Sequence, residues 1–198
     1  YLPVTNNATQ AFKSYPVFQY DFFLSQVNPL NSLVYSSYLG GKGPDNLYLA
    51  AADNNDIYFT GSSGSRDFPV TANALQNINK GGSYYNGDSS IGTDLVIVKY
   101  SAAERKVKFA TFLGTDIHDE LNPDAGVSSP PYMPMSIKNF AATNGIITMA
   151  ATSLSNGYDS LNVDYPVSRD ALFKKMKGLF RGYIQVQYVA RINSVTGK

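Results

Sequence analysis

Few residues in this chain could carry chemistry, and they fall in two groups. Cysteine is absent, so neither disulfides nor thiolate metal sites are available. The single histidine, His118, lies in Asp116-Ile117-His118-Asp119-Glu120, with Asp124 close behind. One imidazole in an acidic stretch supplies neither a multi-ligand zinc set nor a nucleophile with its base and orienter. Asp116, Asp119, Glu120 and Asp124 do offer hard oxygens at short spacing, which suits calcium, although a solvated loop is the plainer reading. The second group is aromatic: Tyr84 and Tyr85 in a Gly- and Asn-rich run, Tyr132 among prolines, and Tyr158 in another polar segment. Rings with a polar tip suit sugar faces or protein partners, and the same rings also serve as lids over their own strands.

Other acids read as structural. Asp53-Asn54-Asn55-Asp56 is a turn whose side chains bond the backbone. Asp67 and Asp164 each precede a large apolar residue, Pro and Val, where a carboxylate accepts bonds from nearby turn amides. No two loop acids are brought across a cleft by sequence spacing, so no residue is assigned to catalysis.

These residues must be positioned by strands. The chain has 198 residues, 43% hydrophobic and 13% aromatic with no Trp, a composition that suits a single β-rich domain with a real core. A formal charge of +1 gives no basic face for nucleic acid or an anionic membrane. The one basic cluster, Lys174, Lys175, Lys177 and Arg181, alternates with Phe173, Met176, Leu179 and Phe180, as expected of a short amphipathic helix covering a sheet edge. No apolar run reaches the length of a membrane-spanning helix.

Internal repeats organise the rest. One phrase occurs three times: Leu2-Pro3-Val4-Thr5 to Gln10, Phe68-Pro69-Val70-Thr71 to Gln76, and Tyr165-Pro166-Val167-Ser168 to Phe173. Proline ends an extended run, and the hydroxyl residue is placed to cap a single helical turn whose alanine, Ala8, Ala74 or Ala171, packs inward between neighbouring sheets. After each copy comes an apolar strand, Asp21 to Val27, Asp94 to Tyr100 and Gln187 to Ile192; the first two are followed by Leu33 to Gly41 and Val107 to Thr115. A second kind of strand pair, 47–53 with 57–62 and 136–143 with 146–152, alternates with these hairpins, the latter around the hairpin dipeptide Asn144-Gly145. Four strands, 47–52, 57–62, 93–100 and 106–113, therefore predict one antiparallel sheet.

The motifs DFFLSQV, LVYSSYLGG, DIYFTG and RDFPVTANALQ, echoed by TDLVIVKY, VKFATFLGT and DYPVSRDALF, resemble the bacterial SBBP-type, seven-bladed β-propeller repeat. That resemblance implies an all-β fold of four-stranded antiparallel β-propeller blades. Residues 1–41 would be a partial blade, 42–115 a full blade and 116–198 a blade lacking its outer strand, about two and a half blades of an incomplete ring cut from a longer polypeptide. Strand edges left open would be covered by other blades of the same polypeptide or by neighbouring subunits. The function it implies is a non-enzymatic extracellular or cell-surface scaffold or protein-interaction module. A carbohydrate-binding or carbohydrate-active propeller acting on polysaccharide and a calcium-stabilised adhesin are the alternatives.

Overall fold

The computed structural model describes residues 2–13, 20–81, 94–114, 139–156 and 183–197. Within them the chain is all β, with nine strands and no helix. The strands are β1 (Phe22–Val27), β2 (Leu33–Leu39), β3 (Asp45–Asp53), β4 (Asp56–Ser63), β5 (Asp94–Ser101), β6 (Lys106–Leu113), β7 (Phe140–Thr143), β8 (Ile146–Asn156) and β9 (Tyr183–Asn193). They form three antiparallel sheets: β1-β2 (sheet 1), β3-β4-β5-β6 (sheet 2) and β7-β8-β9 (sheet 3). The expected four-strand unit is sheet 2, in the expected order. The expected strand over 136–143 is described only from Phe140, and its partner runs on to Asn156. The described sheets do not close a ring.

The hairpin turns follow from local chemistry. Asn144 and Gly145 both take positive φ, 51° and 77°, the conformation a two-residue turn needs to match the twist of its strands. Asn54 (φ 54°) opens the β3–β4 turn that the Asp-Asn-Asn-Asp run predicts, but its side-chain amide donates to the Asp53 carboxylate at 3.3 Å, a side-chain contact in place of the expected bond to the turn's backbone.

Sheet 2 is the centre of the molecule because both of its faces are apolar. Val96, Val98, Tyr100, Ala110 and Phe112 lie on one face and pack with Phe22, Tyr35 and Leu39 of sheet 1. Leu95, Ile97, Phe109 and Leu113 lie on the other and pack with Ile147, Met149 and Ile192 of sheet 3. That is why β5 reads as the near-continuous apolar run DLVIV: a strand covered on both faces has no polar side to show. Leu95, Val96, Ile97 and Val98 are each fully buried, and such burial is worth about 1.5–3 kcal/mol per side chain. Edge-to-face rings, Phe22 on Phe59 at 5.5 Å and Phe22 on Phe68 at 5.7 Å, fix the contact with sheet 1.

The Pro-Val-Thr phrases are straps along the outer strands. Residues 2–10 run beside β2 and residues 68–76 beside β6, closing edges that would otherwise stand open. Thr5 N–H donates to Ser36 O and Tyr38 N–H to Gln10 O; Thr71 N–H donates to Ala110 O and Phe112 N–H to Gln76 O. The threonine hydroxyls do not cap a helix. Each closes a two-way bridge to the outer strand: Thr5 Oγ1 accepts from Ser36 N–H and donates to Ser36 O, and Thr71 Oγ1 does the same with Ala110. The backbone makes only a single turn, Ala8 N–H to Thr5 O and Ala74 N–H to Thr71 O, both 3.0 Å. Because the strap lies at the sheet's outer rim, Ala8 and Ala74 are half-buried rather than sealed between sheets. Ser168, Ala171 and the basic 174–181 segment lie outside the described residues.

Candidate functional site

All eight residues picked out for ligand or metal contact (Tyr84, Tyr85, Tyr132, Tyr158, Asp116, Asp119, Glu120 and Asp124) lie outside the described residues. The strand ends nevertheless fix where their connections attach. Ser63 closes β4 opposite Asp94, which opens β5, and Leu113 closes β6 opposite Leu95. Asn156 closes β8 opposite Tyr183, which opens β9. The short turns at the other ends of sheets 2 and 3 lie side by side, since Gly145 N–H donates to Asp53 Oδ2 at 3.4 Å. The connections that hold those eight residues therefore all join strand ends on one side of the molecule.

Sheet 2 is unusually polar inside at that end. Asp45, Ser63, Ser65, Gln76, Asn79 and Asp94 are all buried there. Asp45 opens β3 directly after the loop Gly40-Gly41-Lys42-Gly43-Pro44. Its Oδ2 accepts from Gly41 N–H (2.8 Å) and from the Ser65 hydroxyl (2.9 Å), and Ser65 Oγ in turn bonds Gly43 N–H and O. Asp67 Oδ1 accepts from Lys42 N–H at 2.8 Å, so this acid serves a turn amide as expected, though in a different loop. A Cβ on Gly41 would stand 2.5 Å from Asp67 Oδ1 and 2.6 Å from Ser65 Cβ, which is why the loop carries glycine there. The amides of this glycine-rich loop are taken up by the chain's own side chains, and no anion-binding nest is left open.

Asp94 is the second buried acid. Its Oδ2 accepts from Gln76 Nε2 at 2.6 Å and Lys80 N–H at 2.7 Å. Gln76 is the hub of the strap, because its Oε1 also accepts from Gly114 N–H (3.1 Å) and its Nε2 donates to Ile78 O (2.9 Å). The first strap repeats this pattern bond for bond. Gln10 Oε1 accepts from Gly40 N–H, and Gln10 Nε2 donates to Phe12 O and to Asp21 Oδ2. The leading Asp of the strand and the closing Gln of the strap are thus one structural unit.

Burial pushes the Asp45 carboxyl up to about 6; bonds from Ser63, Gly41 and Ser65 oppose the rise, and nearby Asp21 adds to it. Burial likewise pushes Asp94 up to about 6 against the bonds from Lys80 and Gln76. In both, Oδ1 is buried with no hydrogen-bond partner among the described residues, so ionisation is disfavoured. At the opposite end of the sheet, Lys99 Nζ meets Asp56 Oδ2 at 2.9 Å and lies 5.4 Å from the Tyr58 ring centroid. Burial pulls this ammonium down, but the bonds to Asp56 and Tyr58 outweigh it and hold it above the ordinary lysine value.

No family model matches this chain. No curated protein matches it either. Its chemistry therefore rests on its own geometry. Among the described residues, no group of three or more His, Cys, Asp or Glu side chains is arranged to hold a metal ion. What the buried acids and amides do is structural: they tie each strap and each glycine loop to the strand ends. Reading the sequence for reactive residue types passes over Asp45, Gln10 and Gln76. The one available signal is that Gln closes the strap phrase at Gln10 and at Gln76, while Asp leads the following strand at Asp21 and Asp94.

Proposed function

We propose that this chain is a run of β-propeller blades serving as an extracellular or cell-surface scaffold for protein interaction. The observation that supports this most directly is the stacking sense of the sheets. Phe59 and Val98, on sheet 2's face toward sheet 1, occupy the same register positions as Met149 and Ala190, on sheet 3's face toward sheet 2. Each sheet thus turns the same face to the sheet before it, and a repeat stacked in one constant sense is how a propeller is generated. The remaining ring is supplied by further blades of the native polypeptide or by neighbouring subunits, and partners meet the side where the long connections attach. The buried acids are already committed to loop and strap bonds, and the described residues offer no nucleophile with its base, so the reading is non-enzymatic.

Intact-mass spectrometry of the native polypeptide, combined with sedimentation of the native particle, tests this. The expected result is a particle containing about four to eight stacked units. A native polypeptide of 21.6 kDa sedimenting as a monomer would contradict it.

A further inference from the structure

β1 and β5 are the same strand in two copies of the repeat. Both follow the Asp–Gln contact, both pair with the next strand in the same register, and both carry the same bulge, at Gln26/Val27 and at Lys99/Tyr100. They differ on their other edge. β5 pairs with β4 along eight residues, Ser101 to Asp94, whereas no described strand pairs with that edge of β1. Gln26 stands where Lys99 stands in β5. Lys99 reaches across to Asp56 of β4, while Gln26 Oε1 is buried with no hydrogen-bond partner among the described residues.

A second surface meets this edge. Ala50 and Ala52 of β3 are register partners of Phe59 and Ile57, so they lie on sheet 2's face toward sheet 1, and both are exposed. Their counterparts in sheet 3, Phe140 and Ala142, are packed into the core shared with sheet 2, together with Tyr48 of β3. The inner half of one sheet is thus covered by the inner strands of the sheet before it, and sheet 1 has no inner strands among the described residues.

We propose that the edge of β1 and the exposed Ala50–Ala52 face of β3 form a two-walled acceptor for an antiparallel β-hairpin of the β3–β4 type. The hairpin's second strand takes β4's place beside β1, with a side chain that bonds the Gln26 amide, and its first strand lies over Ala50 and Ala52. This rests on the stacked-repeat reading above and adds to it a specific docking surface and a specific occupant. Main-chain bonds along β1 supply affinity, and Ala52, whose counterpart Ala142 in sheet 3 is also small, supplies the close approach of the hairpin.

The test titrates a synthetic peptide of residues 45–63 into the 1–198 protein, following binding and site-resolved amide exchange. Saturable binding that slows exchange of the β1 amides facing away from β2 by about tenfold or more supports the proposal. The peptide carrying Phe59→Pro should not bind, since proline cannot join the ladder. Ala52→Arg in the protein should weaken binding about tenfold. That position is exposed, so the variant keeps its fold; Gln26→Ala provides a second variant, expected to weaken binding less. Three results would each overturn the proposal: slow exchange along β1 before any peptide is added, dimerisation that protects the same amides, or peptide binding that leaves β1 unchanged. None of the three bears on the number of stacked units in the native particle, which the mass measurement decides separately.

Discussion

The hairpins β1–β2 and β5–β6 have nearly the same hydrogen bonds and very different surroundings. Strap, Asp–Gln contact, threonine bridge and bulge recur in both, with partner distances mostly within a few tenths of an ångström. Yet Val98 and Tyr100 in β5 are buried, while Ser25 and Val27 at the same positions of β1 are exposed. The difference teaches that the repeat phrase encodes a hairpin with its outer edge already closed, and that neighbouring sheets decide how much that hairpin contributes to stability. Sequence has followed: the copy between two sheets reads DLVIVKY, and the copy with one open face reads DFFLSQV.

Substitutions at matched positions can break this comparison, and the largest effect is expected in the core. Ile97 and Val189 occupy the same place in sheets 2 and 3, one fully buried and the other 77% exposed. Ile97→Ala should cost about 2–5 kcal/mol by denaturant unfolding, and Val189→Ala no more than about 0.5 kcal/mol. Equal costs would show that sheet 3 presents a covered face where the structure leaves one open.

Next comes the pH response of the buried acids. Asp45 and Asp94 both stand near 6 in the fold against 3.8 for the ordinary group, so between those values the folded state holds more protons than the unfolded chain. Stability from these groups is therefore fully present below about pH 4 and is lost as pH rises through about 6, by an amount on the order of 3 kcal/mol for each. Thermal unfolding between pH 4 and 7 should show this fall, and the double variant Asp45→Asn, Asp94→Asn should flatten it. An unchanged slope in that variant would assign the pH response elsewhere.

The strap hub sharpens the comparison further. Gln76 is buried, and Gln76→Ala leaves Asp94 Oδ2 and Gly114 N–H short of a partner, at a cost of about 2–3 kcal/mol. Gln10→Ala removes the same bonds where water can replace some of them, and about 1 kcal/mol is expected. The smallest expected contrast is in the threonine bridge. Thr5→Val and Thr71→Val each delete a half-exposed hydroxyl with the same two-way bridge to the outer strand, and Thr71 Oγ1 also meets Asn73 Oδ1 at 2.7 Å, so each should cost about 1–2 kcal/mol, with Thr71→Val at the upper end.

Much of the fold was legible in the sequence, because alternation and turn residues act locally. The strands around Leu47 to Leu113 and the Asn144-Gly145 turn are set by neighbours a few residues away. The straps were visible as repeated phrases, but their role was not. Thr71 finds its partner at Ala110 and Gln76 finds Gly114, and nothing within a short window of sequence points that far. Asp45 misleads for a related reason: an aspartate after Gly-Pro reads as an exposed turn residue, and it is buried only because the glycine loop folds back over it. The reactive-looking residues, His118 and the acids around it, belong to segments whose composition gives no periodicity to read.

The most direct test of this account is site-resolved amide exchange on the 1–198 protein alone, comparing β1 with β5. With the hairpins built alike and their neighbours different, the account predicts slow exchange for every amide of β5. It predicts fast exchange, by about two orders of magnitude or more, for the β1 amides facing away from β2. Equal protection of the two strands would contradict it.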